Sequence, residues 1–385
     1  MPTRKLLEGL MEGKEKDFNC KEIARAIGCS GNLLYGFFEG RCELSFQQWI
    51  LIIRFLKPEK EDELVETLSE IMIRNDDKRN IRTLCEYAST HRKFSLLGNL
   101  INALQGSYIA VNRDFAQLYE ISSRYQQRNT PNEDLLFDLE AIQTKTVEGQ
   151  IFANVLKAHV LYALKEFKTL FRIGHSIYNQ LSKVKNPYLQ DSYMARISEV
   201  LAQGYLFLKN DVKKARYYAN NVLNSKYLGE AFKVHTLHLL GTSYLFENHA
   251  ESVKWFEQYR DKLEGFGRYD RADEVDDRDI YFADILWGKE GVTDADSPVR
   301  IEKAHYFAKQ GNIEAVEAMC KGHEECAFAI CYLGMAKNDP EILLKSMAKF
   351  IENGCKFFAE FPKRELANHP AFIVSANIIS NIQIA

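Results

Sequence analysis

The residue types that most often carry chemistry are present in this chain but are poorly arranged for it. The run CKGHEEC sets Cys320, His323 and Cys326 at three-residue steps. On one helix, neighbouring members of that set share a face and could bridge a zinc ion. Structural zinc takes four ligands, usually with a turn between cysteine pairs, and no fourth ligand stands nearby. Ala327, Ile330 and Cys331 continue an apolar stripe, so the thiols read as the core of a helical repeat. The acidic stretch YDRADEVDDRD, residues 269–279, mixes carboxylates with arginines but lacks the glycine and closing glutamate of a calcium loop. It reads as a solvated helix or loop. GFG at 265–267 follows no strand and precedes no lysine–serine pair, which leaves it a turn. The nine histidines form no HExxH, and no GxSxG elbow occurs. The expectation is a protein without enzymatic chemistry, bound metal or cofactor.

A different kind of chemistry is written near the start, in IARAIGCSGNLLYGFF, residues 23–38. Apolar side chains are needed where two short helices face each other, and Ile23, Ile27, Leu34 and Phe37 supply them. Ala24 is small enough for a close crossing. Gly28 stands where the turn of a helix-turn-helix needs a positive φ, which glycine adopts without a Cβ penalty. Ser30 is placed to cap the second helix. A third helix, SFQQWILIIRFL, stops before Pro58. The second helix of such a unit lays its first residues in the DNA major groove. Here these are Ser30, Gly31 and Asn32, then Tyr35, with Arg41 beyond. An asparagine can pair with the edge of adenine, and the others can reach phosphates. Residues 1–60 carry ten Lys+Arg against eight Asp+Glu, a balance of only +2. Affinity depends largely on phosphate neutralisation, so the expectation is a dimer helped by a second basic element. KRNIR, with Lys78, Arg79 and Arg82, is the candidate; the other reading of that run is a solvated helix face. The other reading of the whole head is a protein-binding three-helix domain.

The elements that hold these residues read as helices throughout. Only eight prolines occur in 385 residues, and apolar residues recur at three- and four-residue spacing, as in Leu156, Val160 and Ala163. The pattern gives about eighteen helices of about 10 to 20 residues. From Leu156 onward a repeat emerges. LHLLGTSYLFENHAESVKWFEQY and EVLAQGYLFLKNDVKKARYYANNVL share one plan, and Gly204 and Gly241 lie 37 residues apart. That is close to the period of a tetratricopeptide helix pair, in which glycine lets the second helix approach the first. Stacked pairs bury one face each and form a solenoid with a concave groove suited to an extended peptide. The fold class expected is all-α: a helix-turn-helix head, a tetratricopeptide-like right-handed α-solenoid and a C-terminal helix. The expected boundaries are 1–57 for the head, 58–145 for a helical region opening the solenoid, 146–365 for the peptide-binding solenoid and 366–385 for the last helix. No apolar run approaches the ~18 residues of a membrane span, the first residues are charged throughout, and the eight cysteines contain no CxxC pair. Together these suggest reduced thiols and a cytoplasmic protein without a membrane partner.

A helix-turn-helix followed by a tetratricopeptide-like solenoid resembles the layout of peptide-binding quorum-sensing receptors of Gram-positive bacteria. Within that group the chain is similar to the arbitrium receptors, the AimR type, of temperate phages. Ala24 and Gly28 followed by Asn32, Leu34, Tyr35 and Phe37 carry the likeness, as do RTLCEYA at 82–88, Gly241 with Ser243 and Phe246, KAHYF at 303–307 and FIENGCKFFAEFP at 350–362. The resemblance implies a homodimeric activator that binds double-stranded operator DNA and is released by a phage-encoded linear peptide of about six residues lying in the groove. In the family, peptide accumulation favours lysogeny over lysis.

The resemblance also implies site residues. Where such receptors clamp peptide amides with asparagines, this chain has Gln203 and Thr242, and a side-chain amide can donate and accept at once. Where an acid can face a peptide arginine it has Cys355, with Glu302 as the substitute carboxylate. Where a basic residue would meet the peptide carboxylate it has Ala231, leaving Lys233 or Arg196. Phe207 and Phe282 would form apolar walls, or else belong to the core. In FIVSANIISNIQIA, Phe372, Ile373, Ile379 and Ile382 suit dimerisation, or alternatively a cap over the last repeat. Readings from other classes are a host or plasmid regulator of the same layout, an interaction scaffold, and a phosphatase-like relative acting on a response regulator; the Ala24 and Gly28 pattern argues against the last.

Overall fold

Residues 2–11 and 20–381 are described in the computed structural model, and every regular element among them is helical. They form 23 α-helical segments, more than periodicity suggested. Some uniform runs are broken: the stretch from Tyr269 to Trp287 is interrupted by a π-helical turn at Val275–Ile280, and Pro187–Gln203 passes into another at Gly204–Leu208. No helix among the described residues is long and apolar enough to cross a membrane.

The chain divides into two compact units. The first comprises Met1–Val160, Ser176–Met194 and Lys226–Ala231; the second comprises Leu161–His175, Ala195–Ser225 and Phe232–Ala385. The stretches 1–57 and 58–145 therefore share the first unit, while 366–385 lies in the second with most of 146–365.

In the first unit, Cys20–Ile27 and Gly31–Phe38 pack as a helix pair with Ile23, Ala24, Leu34 and Phe37 in the interface. Ile27 is only partly covered. Gly28 adopts φ +70° and donates to Arg25 O, and Cys29 donates to Ala24 O at 2.8 Å. This double closure satisfies the last carbonyls of the first helix and turns the chain sharply. Ser30 occupies the cap position, but its side chain makes no capping hydrogen bond, contrary to expectation. The third helix, Phe46–Leu56, does have a full box: Ser45 accepts from the Gln48 N–H, and the Gln48 side chain accepts from the Ser45 N–H at 2.8 Å. Trp49 from this helix meets Phe37 edge-on at 5.7 Å. Its other anchors are polar. The Phe46 N–H donates to Asn80 Oδ1 at 2.8 Å, and Arg54 donates twice to Glu61, at 2.8 and 3.0 Å. Further in, the fully buried Glu86 accepts from Tyr119 and Ser192 hydroxyls. A buried carboxylate needs such donors to offset lost hydration.

In the second unit, antiparallel neighbours approach closely where side chains vanish. A Cβ on Gly241 would stand 2.5 Å from the Phe256 ring of the next helix, His249–Gly265, and one on Gly334 would crowd Leu343. Gly204 behaves differently from expectation: it faces Phe171 and Leu170 on the preceding helix, Phe167–Gln180. The CKGHEEC run does not lie on one helix either. Cys320 ends Ile313–Cys320, Gly322 turns at φ +85°, and Cys326 precedes Ala327–Lys337. A shared helical face for the three side chains is therefore ruled out.

Candidate functional site

Two sets of residues were singled out for binding, one in each unit. In the first unit, Ser30, Asn32, Tyr35 and Arg41 are all exposed. Asn32 and Tyr35 lie three residues apart on Gly31–Phe38, so they share its outer face while Leu34 and Phe37 fill the inner one. Arg41 forms an exposed ion pair with Glu39. The KRNIR run divides. Lys78 Nζ donates to Ala103 O at 2.6 Å and pairs with Asp76 at 2.7 Å, Arg79 is exposed, and Arg82 is partly covered with its guanidinium 5.4 Å from the centre of the Phe115 ring. Lys78 thus holds the fold of its own neighbourhood, which periodicity could not reveal.

In the second unit the aromatic side chains form a continuous wall. Phe207, on the π-helical turn Gly204–Leu208, stacks on Phe358 at 6.2 Å and meets Phe357 edge-on. Phe358 meets Phe328 at 5.2 Å, and Phe328 meets Phe282 at 5.8 Å. Phe282 then packs on His305 at 4.8 Å and Phe361 at 5.3 Å, and His305 stacks on Tyr332 at 5.0 Å. The two π-helical turns sit beside this wall, and such turns re-aim side chains by adding one residue to a helical turn.

Glu302 stands at the polar end of the wall, on Arg300–Lys309. Its side chain is partly covered, but Oε2 is closed to solvent and has no hydrogen-bond partner. Burial pushes its carboxyl up to about 7, the Asp279 charge adding to the rise and Arg278 and Tyr332 opposing it. Cys355 lies at the foot of the segment that carries Phe357 and Phe358; burial raises its thiol to about 11, so it is a neutral group. The structure thus brings Phe207, Phe282, Glu302 and the Cys355 segment into one region. It does not leave all of the candidates available: Phe207 is partly covered, whereas Phe282 is buried and belongs to the core. Thr242 is buried and donates to His238 O at 3.0 Å. Arg196 is buried, with its guanidinium 5.7 Å from the Phe232 ring centre. Gln203 and Lys233 are partly covered. His305, Tyr332, Phe328 and Phe358 were not foreseen. The signal for His305 was its position three residues after Glu302, on the same helical face.

At the C-terminus, Ile373 is exposed, whereas Phe372 and Ile379 are partly covered. Ile382 lies outside the described residues.

Residues 65–368 match the model of the family described as AimR transcriptional regulator-like. The chain belongs to that family. An uncharacterised protein of Bacillus anthracis is 24% identical over 234 residues, 58% of this chain and 86% of that protein. Among solved structures, selenomethionine phAimR matches with a TM-score of 0.73 at 18% identity, over 97% of this chain and 100% of that one. A structure of phAimR with a ligand matches with a TM-score of 0.64 at 17% identity, over 85% and 98%. At these identities the likeness is one of fold: the chain has the all-helical architecture of an AimR. The family match takes in Lys78, Arg79, Arg82 and every candidate from Arg196 to Cys355. It leaves out Ser30, Asn32, Tyr35 and Arg41 and the candidates from Phe372 on.

Proposed function

We propose that this AimR-like chain is a DNA-binding transcriptional regulator that responds to a short linear peptide and works as a homodimer in the cytoplasm of a bacterial cell. The observation that carries the reading is the head: a tight helix pair whose second helix turns Asn32 and Tyr35 outward over a buried Leu34 and Phe37. That division of faces is what base-edge and phosphate contacts from a groove-bound helix require. Arg41 and Arg79 would add phosphate contacts, and Arg82 would support them from its place on Phe115. In the second unit, a peptide would lie against Phe207, with Phe282 backing that region from the core, Glu302 meeting a cationic side chain and Gln203 a backbone amide. Lys233 is the better-placed partner for a peptide carboxylate, since Arg196 and Thr242 are buried. Phe372, Ile373 and Ile379 would serve the dimer contact.

Peptide binding must favour a form that grips DNA less well, because only differential affinity shifts an equilibrium. The finer reading is a phage switch between lysis and lysogeny. The Bacillus anthracis relative favours a second reading, a bacterial regulator of the same layout with another output.

The experiment is a thermal-shift titration with the short peptides encoded beside this gene, since a ligand that prefers the native state raises its melting temperature. A saturable rise, absent for a scrambled peptide, is expected. No shift with any of them would remove the peptide arm of the proposal.

A further inference from the structure

In the second unit, the stretches 165–175 and 209–217 carry seven Lys+Arg against two acids, Glu166 and Asp211, in a chain whose net charge is −3. The structure brings these cations together. Lys168, Phe171, Arg172 and His175 recur at three- and four-residue steps, so they form one stripe along Phe167–Gln180. Phe171 meets Tyr205 edge-on at 5.2 Å, Tyr205 stacks on Tyr218 at 5.5 Å, and Tyr218 meets Tyr217 at 5.2 Å. This ladder of rings joins the stripe to Val212–Leu223, where Lys213 stands one turn before the exposed Tyr217. Lys209 lies over the Phe171 ring at 5.4 Å and Lys214 over the Tyr205 ring at 5.0 Å. Lys356 comes up beside them: Gly354, two residues earlier, packs against Phe167 and Leu208. Burial, and then the Lys209 charge, hold the Lys356 ammonium below its usual range.

Few of these charges are compensated. Asp211 pairs with Lys214 at 3.2 Å and Glu247 with Arg216 at 2.8 Å. Among the described residues, Lys168, Arg172, Lys209, Lys213 and Lys356 form no ion pair. The first four of them are exposed. Neither helix has an acid in its first turn, where both have lysine. The positive ends of the helix dipoles and the lysines thus reinforce one another, an arrangement that costs the fold stability and that a bound polyanion relieves.

We infer that this ridge is a second nucleic-acid surface, one that holds the phosphate backbone of duplex DNA without reading its sequence. The inference rests on reading the chain as a DNA-binding regulator and adds where the phosphate charge is met. The head is poorly equipped to meet it alone: residues 1–60 balance to only +2, and Lys78 is engaged within the fold. Exposed lysine and arginine stems reach phosphate oxygens and fix a duplex without discriminating its bases. Protein–protein contacts deplete lysine at their centre, whereas protein–DNA contacts are rich in positive charge. Here lysines surround the exposed Tyr217, which favours the nucleic acid.

The test is fluorescence anisotropy of the full chain with a DNA duplex of scrambled sequence, over about 50–200 mM salt. Lys168→Gln, Arg172→Gln, Lys209→Gln and Lys213→Gln are combined in one variant. Lys254→Gln, Lys289→Gln, Lys321→Gln and Lys345→Gln, outside the ridge, make a control of the same net charge. For the ridge variant the expected result is a loss of about tenfold or more near 100 mM salt, with the slope of log K against log salt shallower by about three; the control stays close to wild type. Lys168→Arg, Lys209→Arg and Lys213→Arg together keep the charge and should bind as wild type does. Equal losses in the ridge variant and the control, or a slope that the ridge variant leaves unmoved, would overturn the inference. So would displacement of the duplex by polyglutamate as readily as by unlabelled DNA, which would make the surface one for acidic proteins. With duplexes taken from the DNA flanking this gene, a sequence preference lost in Asn32→Ala, beside a ridge variant that binds as tightly as wild type, would sink the inference and leave the regulator reading intact. A salt slope set by the ridge with no sequence preference among those duplexes would do the reverse.

Discussion

At the scale of single residues, Glu302 and Gly241 make the firmest statements. The Glu302 carboxyl sits at about 7, above its ordinary value near 4.5, so the folded protein binds more protons than the unfolded one between those limits. Its contribution to stability is present at acid pH and is lost as pH rises through 7. Chemical denaturation should therefore find the protein less stable at pH 8 than at pH 6 by about 1 kcal/mol from this group alone. Glu302→Gln should remove that difference; an identical pH dependence in the two proteins would contradict it. Gly241→Ala should cost about 1–3 kcal/mol, since its Cβ would meet the Phe256 ring and overpack the helix pair. A urea midpoint unchanged from wild type would show that the ring yields freely. Gly241 was legible in the sequence, through its spacing from Gly204. Glu302 and Phe282 were legible through resemblance. The stacking of His305 on Tyr332 was not, because it depends on which helices meet, and spacing along one helix carries no record of that.

At the scale of elements, the two serines that open head helices separate cap position from cap function. Ser45 has Gln48 three residues on and forms the reciprocal box, whereas Ser30 has Leu33 there and its hydroxyl stays unused for capping. Ser45→Ala should lower stability by about 1 kcal/mol, whereas Ser30→Ala should leave it within a few tenths. Equal losses in thermal or urea unfolding would contradict the distinction. The helix-by-helix reading was otherwise readable: apolar spacing located the pair at Cys20–Ile27 and Gly31–Phe38, and Gly28 located its turn. Two kinds of element escaped it. The π-helical turns at Gly204–Leu208 and Val275–Ile280 add one residue to a turn and keep the apolar pattern nearly intact. The division of the chain also escaped, because Ser176–Met194 and Lys226–Ala231 join the first unit from far along the sequence. Local composition does not change at those points.

At the scale of the whole molecule, the proposed function couples a DNA-reading head to a peptide-sensing unit on one chain, so that peptide occupancy changes DNA affinity. The near-neutral head limits phosphate neutralisation, so specific binding should be salt-sensitive and should depend on two heads acting together. The most direct measurement is fluorescence anisotropy with duplexes tiled across the DNA flanking this gene, at fixed salt, with and without the encoded peptide that gives a thermal shift. The expected result is saturable binding to one tile over its neighbours, a loss of that preference in Asn32→Ala with the fold intact, and weaker binding once peptide saturates the protein. Uniform affinity for every tile, or an affinity for the preferred tile that saturating peptide leaves unchanged, would contradict it.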